Sequence, residues 1–145
     1  MGFNIVDLQA PIIPGKSIGG FQLRENIQVY EEIILNFPSL KPSISEYTPL
    51  LVEYEIKDTL VLIFNIKWEL RHIIAYPNYK GTLFGKIRMG MEISEVMQID
   101  NRFTFDDFDE VYYIPELQGL VIDTTLDEDD VEVVDRIAVF TEEVL

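Results

Sequence analysis

The middle of the chain alternates apolar and polar residues in a way that predicts β-strands. In residues 51–56, valine, tyrosine and isoleucine alternate with two glutamates, which is the period of a strand with one face in solvent. Residues 59–66, TLVLIFNI, are apolar on both faces, as is typical of a strand covered on both sides in the middle of a sheet. The pattern therefore predicts a half-exposed strand followed by a fully buried one.

A third strand is predicted directly afterwards. Alternation in residues 68–76 places five side chains on one side: Trp68, Leu70, His72, Ile74 and Tyr76. The three segments are joined by short connections, one of which, Lys57-Asp58, has the composition of a tight turn. Because short connections join antiparallel neighbours, we expect the three strands to form an antiparallel meander.

The residues before the meander predict an extended arm, a short strand and a helix. Prolines and glycine in residues 1–17 disfavour a helix there, and residues 18–23 have the character of a short strand. From Asn26 onward, apolar residues recur at helical spacing as far as Phe37, and Asn26 is placed to accept a backbone N–H as the N-cap. Pro38 then ends the helix, whose apolar stripe we expect to pack on the sheet.

The pattern then starts again. A shift of 66 residues lays GKSIGGFQLRENIQVYEEI over GTLFGKIRMGMEISEVMQI, and strands are predicted after the second helix at 110–114, 119–124 and 133–140. The sequence thus indicates an internal repeat of residues 15–76 and 81–140, with chance or a shared supersecondary unit as the alternative. We predict one α+β domain over residues 1–145, whose antiparallel sheet or sheets come from two strand–helix–three-strand units with two short helices.

Composition supports a folded chain. The 145 residues suit one domain, and 48% of them are hydrophobic, far more than in a disordered acidic protein. The sequence contains no cysteine, which fits a reducing cytoplasm, and it shows neither a signal-like segment nor an apolar run of membrane-spanning length. We therefore expect a cytoplasmic protein that does not enter a membrane.

Charge is distributed very unevenly along the chain. Residues 89–145 contain 17 acidic side chains against Arg102 and Arg136, whereas residues 1–88 contain 9 acidic and 9 basic ones. The second part therefore carries the whole formal net charge of −15. Such asymmetry bears on partners and association rates more than on fold, and the negative sign argues against binding of DNA or RNA.

Motifs for common enzyme chemistries are missing. Gly15-Lys16-Ser17 resembles the end of a phosphate-binding loop, but Ala10 occupies the position where that loop requires its first glycine. His72 is the single histidine, so a histidine pair for metal is excluded, and we expect it to be packed and hydrogen-bonded. No G-x-S-x-G nucleophile motif occurs. The sequence predicts no enzyme, no cofactor and no metal ligand.

The acidic residues of the second part leave several interpretations open. Calcium binding is one, although neither acidic run has the ligand spacing of an EF-hand loop. Hydrolysis by paired carboxylates is another, but no pair stands out. A surface that is merely solvated is a third, and a face that docks a basic protein is the fourth. The uneven charge favours docking, for which the candidate residues are Asp106, Asp107, Asp109, Glu110, Asp127, Glu128, Asp129, Asp130 and Glu132.

Two glycine-rich turns carry a resemblance to a known class of proteins. PGKSIGGFQL and KGTLFGKIRM, each before a short helix, resemble turns in small acidic bacterial immunity proteins of contact-dependent inhibition and related polymorphic toxin systems. In that motif a glycine follows the turn; Gly90 keeps it, whereas Arg24 replaces it in the first copy. The resemblance implies a protein that neutralises a cognate toxin domain. A basic nuclease is the expected partner, because its cleft for phosphates would complement an acidic face.

Overall fold

A computed structural model of the protein describes residues 6–43 and 51–141; the first five residues of the predicted arm lie outside these ranges. The described residues form ten strands, one 3-10 helix and two α-helices. The strands are β1 (Ser17–Ile18), β2 (Phe21–Gln22), β3 (Leu40–Ser43), β4 (Val52–Ile56), β5 (Leu60–Phe64), β6 (Leu70–Ala75), β7 (Thr104–Asp106), β8 (Val111–Ile114), β9 (Leu117–Leu126) and β10 (Glu132–Phe140). The helices are a 3-10 helix (Ile27–Tyr30), α1 (Glu31–Asn36) and α2 (Ile93–Ile99).

Eight of the strands form one antiparallel sheet in the order β3-β4-β5-β6-β10-β9-β8-β7. The α+β class and the predicted meander β4-β5-β6 are therefore confirmed. Each half contributes four strands to this sheet rather than the predicted three, because β3 and β7 add one edge strand each. The last strands of the two halves, β6 and β10, pair in the middle.

The two halves also repeat one detail of backbone hydrogen bonding. In each half, the segment before the helix exchanges two bonds with the start of the central strand. In the first half Arg24 N donates to Leu70 O (2.7 Å) and Leu70 N to Glu25 O (2.9 Å); in the second Gly90 N donates to Val134 O (2.9 Å) and Val134 N to Met91 O (2.8 Å). Arg24 and Gly90 both have positive φ, at 73° and 82°. That the two halves arose by duplication stays a prediction.

Strand β5 is covered on both faces, as its sequence predicts, but it is shorter than the predicted 59–66, and Ile66 beyond its end is 53% exposed. All five of its residues are buried. Leu60, Leu62 and Phe64 belong to the main core, whereas Val61 and Ile63 pack with Ile74 of β6 in a smaller cluster. Because successive side chains of a strand point to opposite faces, β5 fills apolar layers on both sides of the sheet.

The predicted first helix is divided into two pieces. Asn26 is the N-cap, as predicted, and its side chain accepts a bond from Gln28 N at 3.0 Å. The first turn is a 3-10 helix, and α1 follows it from Glu31 to Asn36. Tyr30, where the two pieces meet, is fully buried and its hydroxyl accepts a bond from Gln22 N at 2.7 Å. This anchor fixes the helical segment to the preceding β2.

The strand predicted at residues 18–23 is a two-stranded hairpin instead. Ile18 pairs with Phe21, and the chain reverses at Gly19 and Gly20, whose φ angles are 69° and 91°. Only glycine adopts such angles without steric cost, so the glycine pair interrupts what the apolar pattern alone suggests as one strand. Both Ile18 and Phe21 are fully buried in the core.

A β-bulge changes the predicted faces of β6. Ile63 pairs with His72 but Phe64 pairs with Leu70, so Arg71 is an extra residue on this strand. Leu70 therefore faces the main core, while His72 and Ile74 face the other side. The prediction of a single face running from Trp68 to Tyr76 is wrong for this reason, and Trp68 lies outside the strand.

Strand β4 lacks the solvent-exposed face that its alternation predicts. Glu53 is only 6% exposed. It pairs with Ile63 of β5 on one side and with Ser43 of β3 on the other. The added edge strand thus turns β4 into an interior strand, and a glutamate read as exposed becomes buried.

Candidate functional site

Both acidic segments form hairpin turns at one end of the sheet. One turn joins β7 to β8, where Asp106 pairs with Val111, and the other joins β9 to β10, where Leu126 pairs with Glu132. Tyr112 of β8 pairs with Ile122 of β9, so β8 begins beside the second half of β9. The two turns therefore project in the same direction. We call this region, residues 105–112 and 124–132, the acidic end.

Most of the candidate carboxylates at the acidic end are exposed to solvent. Seven of the nine are exposed and the remaining two, Asp106 and Glu132, are half-buried. The exposed ones are Asp107, Asp109, Glu110, Asp127, Glu128, Asp129 and Asp130. The structure thus brings together, on two neighbouring turns, residues that lie up to 23 positions apart in the sequence.

Two of the aspartates also build the turns. Asp106 Oδ1 accepts bonds from the backbone N–H groups of Phe108 (2.8 Å) and Asp109 (3.2 Å). Asp127 Oδ1 accepts bonds from the N–H groups of Asp129 (2.8 Å) and Val131 (3.0 Å). A short acidic side chain that closes a turn in this way is common, so these two carboxylates have a structural reason to be present. The other exposed carboxylates of the two turns make no hydrogen bond with the described residues that would explain their presence by the structure of the turn.

Glu132 is engaged inside the protein. Its Oε2 accepts bonds from the hydroxyl groups of Thr124 (2.6 Å) and Tyr112 (2.9 Å). Burial, with a further contribution from the bond to Glu132, raises the pKa of Tyr112 to about 12. The carboxylate therefore joins β8, β9 and β10 near the base of both turns, which sequence reasoning did not anticipate.

We expect Glu132→Ala to lower the free energy of unfolding by about 1–3 kcal/mol, since two hydroxyl groups lose a charged acceptor. Glu128→Ala is the matched control, because Glu128 is exposed and should change stability by no more than about 0.5 kcal/mol. Urea unfolding of both variants measures the difference. Equal stability of the two would mean that the bonds to Tyr112 and Thr124 contribute nothing net.

The two arginines of the second part are paired away from the turns. Arg102 Nη2 lies 2.7 Å from Asp100 Oδ2. The side-chain hydrogen bonds that Arg102 donates to Asp100 hold the pKa of Asp100 below its usual value. Arg136 Nη2 lies 2.6 Å from Asp123 Oδ2. Within residues 6–43 and 51–141, no salt bridge reaches either acidic turn. The negative field of the acidic end is therefore not neutralised by these arginines.

Apolar side chains are exposed among the carboxylates, and sequence reasoning missed them. Phe108 is 93% exposed in the middle of the first turn, and Leu126 is 62% exposed where β9 ends. Phe105 is half-exposed, with its ring centroid 5.0 Å from that of Tyr112. The sequence does contain a sign of this exposed apolar residue. Phe108 is flanked by Asp107 and Asp109, and a turn that served only solubility would not need a phenylalanine there.

His72 is packed, as predicted, but the predicted hydrogen bond of its ring is not found within the described ranges. Its ring stacks on Phe140 with centroids 5.8 Å apart, and burial lowers its pKa. Nδ1 has no partner in the part of the chain that the structure describes. Over the same residues, no group of three or more metal-ligating side chains is arranged to hold an ion. No helix of the described ranges is long and apolar enough to span a membrane.

Comparison with known proteins identifies no relative that would assign a role to the acidic end. No family model matches the chain, and no significant match is found among curated proteins or solved structures. The structure itself defines an α+β protein with one eight-stranded antiparallel sheet and a strongly acidic end.

Proposed function

We propose that this protein is a cytoplasmic immunity protein that binds and neutralises a cognate toxin domain, a basic nuclease, through its acidic end. The observation that carries the proposal is the position of the two acidic turns, which project from the same end of the sheet with seven exposed carboxylates. Charges placed on one surface add their fields, whereas the same charges spread over the molecule would only aid solubility.

The electrostatics suit rapid capture of a basic partner. Opposed potentials raise association rates to about 10⁸–10⁹ M⁻¹s⁻¹ at low salt, compared with about 10⁵–10⁶ M⁻¹s⁻¹ without steering. An immunity protein benefits from such rates, because it must bind its toxin before the toxin acts on the producing cell. A nuclease has a basic cleft for phosphates, and an acidic cover would occupy the surface that the nucleic acid requires.

The resemblance of the glycine-rich turns to those of immunity proteins supports the same role. The turns at Gly15 and Gly85 share a bonding pattern, although they are 70 residues apart and the predicted shift of 66 pairs Gly15 with Gly81 instead. Ile13 N donates to Ser17 O at 2.9 Å, and Leu83 N donates to Ile87 O at 2.7 Å. Arg24, which replaces the glycine of the motif, adopts the same left-handed conformation as Gly90, with φ angles of 73° and 82°. The proposal assigns the protein no catalytic residue, cofactor or metal.

Cell survival tests the proposal most directly. The first step is to read the gene directly upstream. A toxin domain encoded there is expressed in a sensitive host with and without this protein, and binding of the two purified proteins is measured. We expect survival only with the protein present, together with a 1:1 complex. A catalytically inactive toxin variant is the control for expression burden. Continued killing without complex formation, or a gene neighbourhood without a toxin, would contradict the proposal.

A further inference from the structure

The exposed apolar side chains at the acidic end are arranged as an anchor for a protein partner. We infer that Phe108 and Leu126, together with Phe105 at the same end of the sheet, insert into an apolar pocket of the partner whose rim carries lysine and arginine. This inference rests on the proposed docking role of the acidic end. It goes beyond that role by assigning the binding energy to residues other than the carboxylates and by stating the chemistry of the partner's pocket.

Phe108 is the first reason, because the fold does not use its side chain. The turn requires only the backbone N–H of residue 108, which donates to Asp106 Oδ1 at 2.8 Å, and any residue except proline supplies that group. The ring itself is 93% exposed. Burial of a phenylalanine side chain is strongly favourable, and in the isolated protein this one gains almost none of that free energy.

The positions of Leu126 and Phe105 are the second reason. Along β9, Ile122, Thr124 and Leu126 alternate onto one face, and Ile122 pairs with Tyr112 of β8. Phe105 of β7 also pairs with Tyr112, and the two rings are tilted against each other with centroids 5.0 Å apart. Phe105 and Leu126 therefore share a face of the sheet at the base of the two acidic turns, and both remain exposed. The three apolar side chains occupy one end of the molecule.

The surrounding charges identify the occupant. Seven exposed carboxylates lie in the two turns that hold or adjoin these side chains, and described basic residues form no salt bridge with the turns. A second copy of this chain would bring seven further carboxylates against them, and nucleic acid or an anionic membrane would bring phosphates. A protein with basic residues around an apolar pocket is complementary in both respects. An aromatic anchor within a charged rim is also the usual anatomy of an interface, where anchors set the dissociation rate and rim charges the association rate.

Matched serine variants test the inference. Leu126→Ser and Phe108→Ser remove the anchor, and Leu35→Ser is the control, because Leu35 is 76% exposed on α1 in the other half of the protein. Association and dissociation with the purified toxin domain are measured by surface plasmon resonance at two salt concentrations. We expect Phe108→Ser to raise the dissociation rate about 10- to 100-fold and Leu126→Ser at least about 3-fold, with the association rate and its salt dependence unchanged. Leu35→Ser should stay within about 2-fold of the wild type.

The outcomes separate this inference from the proposed function. If binding depends on the carboxylates but Phe108→Ser leaves dissociation unchanged, the anchor is wrong and the docking face stands. If the wild-type protein does not bind the toxin domain, the proposed function fails and the anchor fails with it. Concentration-dependent self-association that Phe108→Ser abolishes, measured by sedimentation, would identify a second copy as the occupant and would also overturn the inference.

Discussion

Neutralising the exposed carboxylates of the two turns is expected to slow association with the toxin domain about 10-fold for each turn at low salt and about 100-fold together. The first set is Asp107→Asn, Asp109→Asn and Glu110→Gln, and the second is Glu128→Gln, Asp129→Asn and Asp130→Asn. Both sets keep the shape of the side chains. The deficit should shrink as salt is raised, because the Debye length falls from about 10 Å at 0.1 M to about 3 Å at 1 M.

The structure decides which carboxylates belong in these sets. Asp106, Asp127 and Glu132 accept hydrogen bonds from the turns or from neighbouring strands, so replacing them would mix a loss of charge with a loss of structure. These three residues therefore remain unchanged in both variants. Asp130 and Glu110 have positive φ angles of 59° and 56°, and the amide replacements preserve the length of each side chain there.

A charge-matched control distinguishes steering from total charge. Glu25→Gln, Glu31→Gln and Glu32→Gln remove the same three charges from the first half of the chain, in and just before the helical segment. We expect this variant to associate within about 2-fold of the wild-type rate. Stopped-flow kinetics at several salt concentrations measures the two single-turn variants, their combination and the control. If the control slows association as much as either acidic set, net charge and not the acidic end is responsible.

Replacing Gly119 with alanine is expected to lower the free energy of unfolding by about 3–4 kcal/mol, more than Glu132→Ala or Gly85→Ala. A Cβ at this position would lie 2.6 Å from the carbonyl oxygen of Phe140 and 2.7 Å from Gly15 Cα. Both neighbours are backbone atoms, so no side chain can rotate away. The φ of +81° adds the cost of a left-handed conformation, about 1–2 kcal/mol for a residue other than glycine.

Gly85→Ala is the control that isolates the close approach. Gly85 has a similar φ of +73°, but a Cβ there would meet nothing within 4 Å. We expect it to cost about 1–2 kcal/mol, the conformational part alone. Chemical denaturation of both variants gives the difference. Similar losses for the two would show that the contact of Gly119 with Gly15 relaxes without cost, and that the Gly15 N–H bond to Gly119 O, 3.0 Å long, tolerates the shift.

Local physics determined much of this protein from its sequence alone. The run Leu60–Phe64 is buried because a strand that is apolar on both faces is stable only when both faces are covered. Asn26 caps its helix because its side chain reaches an N–H two residues away. The uneven charge, the helical segments and the meander β4-β5-β6 likewise depend on neighbours in the chain, which a sequence pattern displays directly.

Only the tertiary structure decided the features that depend on distant residues. The pairing of β6 with β10 joins residues more than 60 positions apart, and Glu53, predicted on an exposed face, is buried in a strand that β3 makes an interior one. The extra residue at Arg71 reverses the faces of β6, because a strand has a period of two and one inserted residue exchanges its sides. In the same way, the order β10-β9-β8-β7 brings the two acidic turns to one end and leaves Phe108 exposed between carboxylates. Alternation along one strand carries no information about which strand lies beside it.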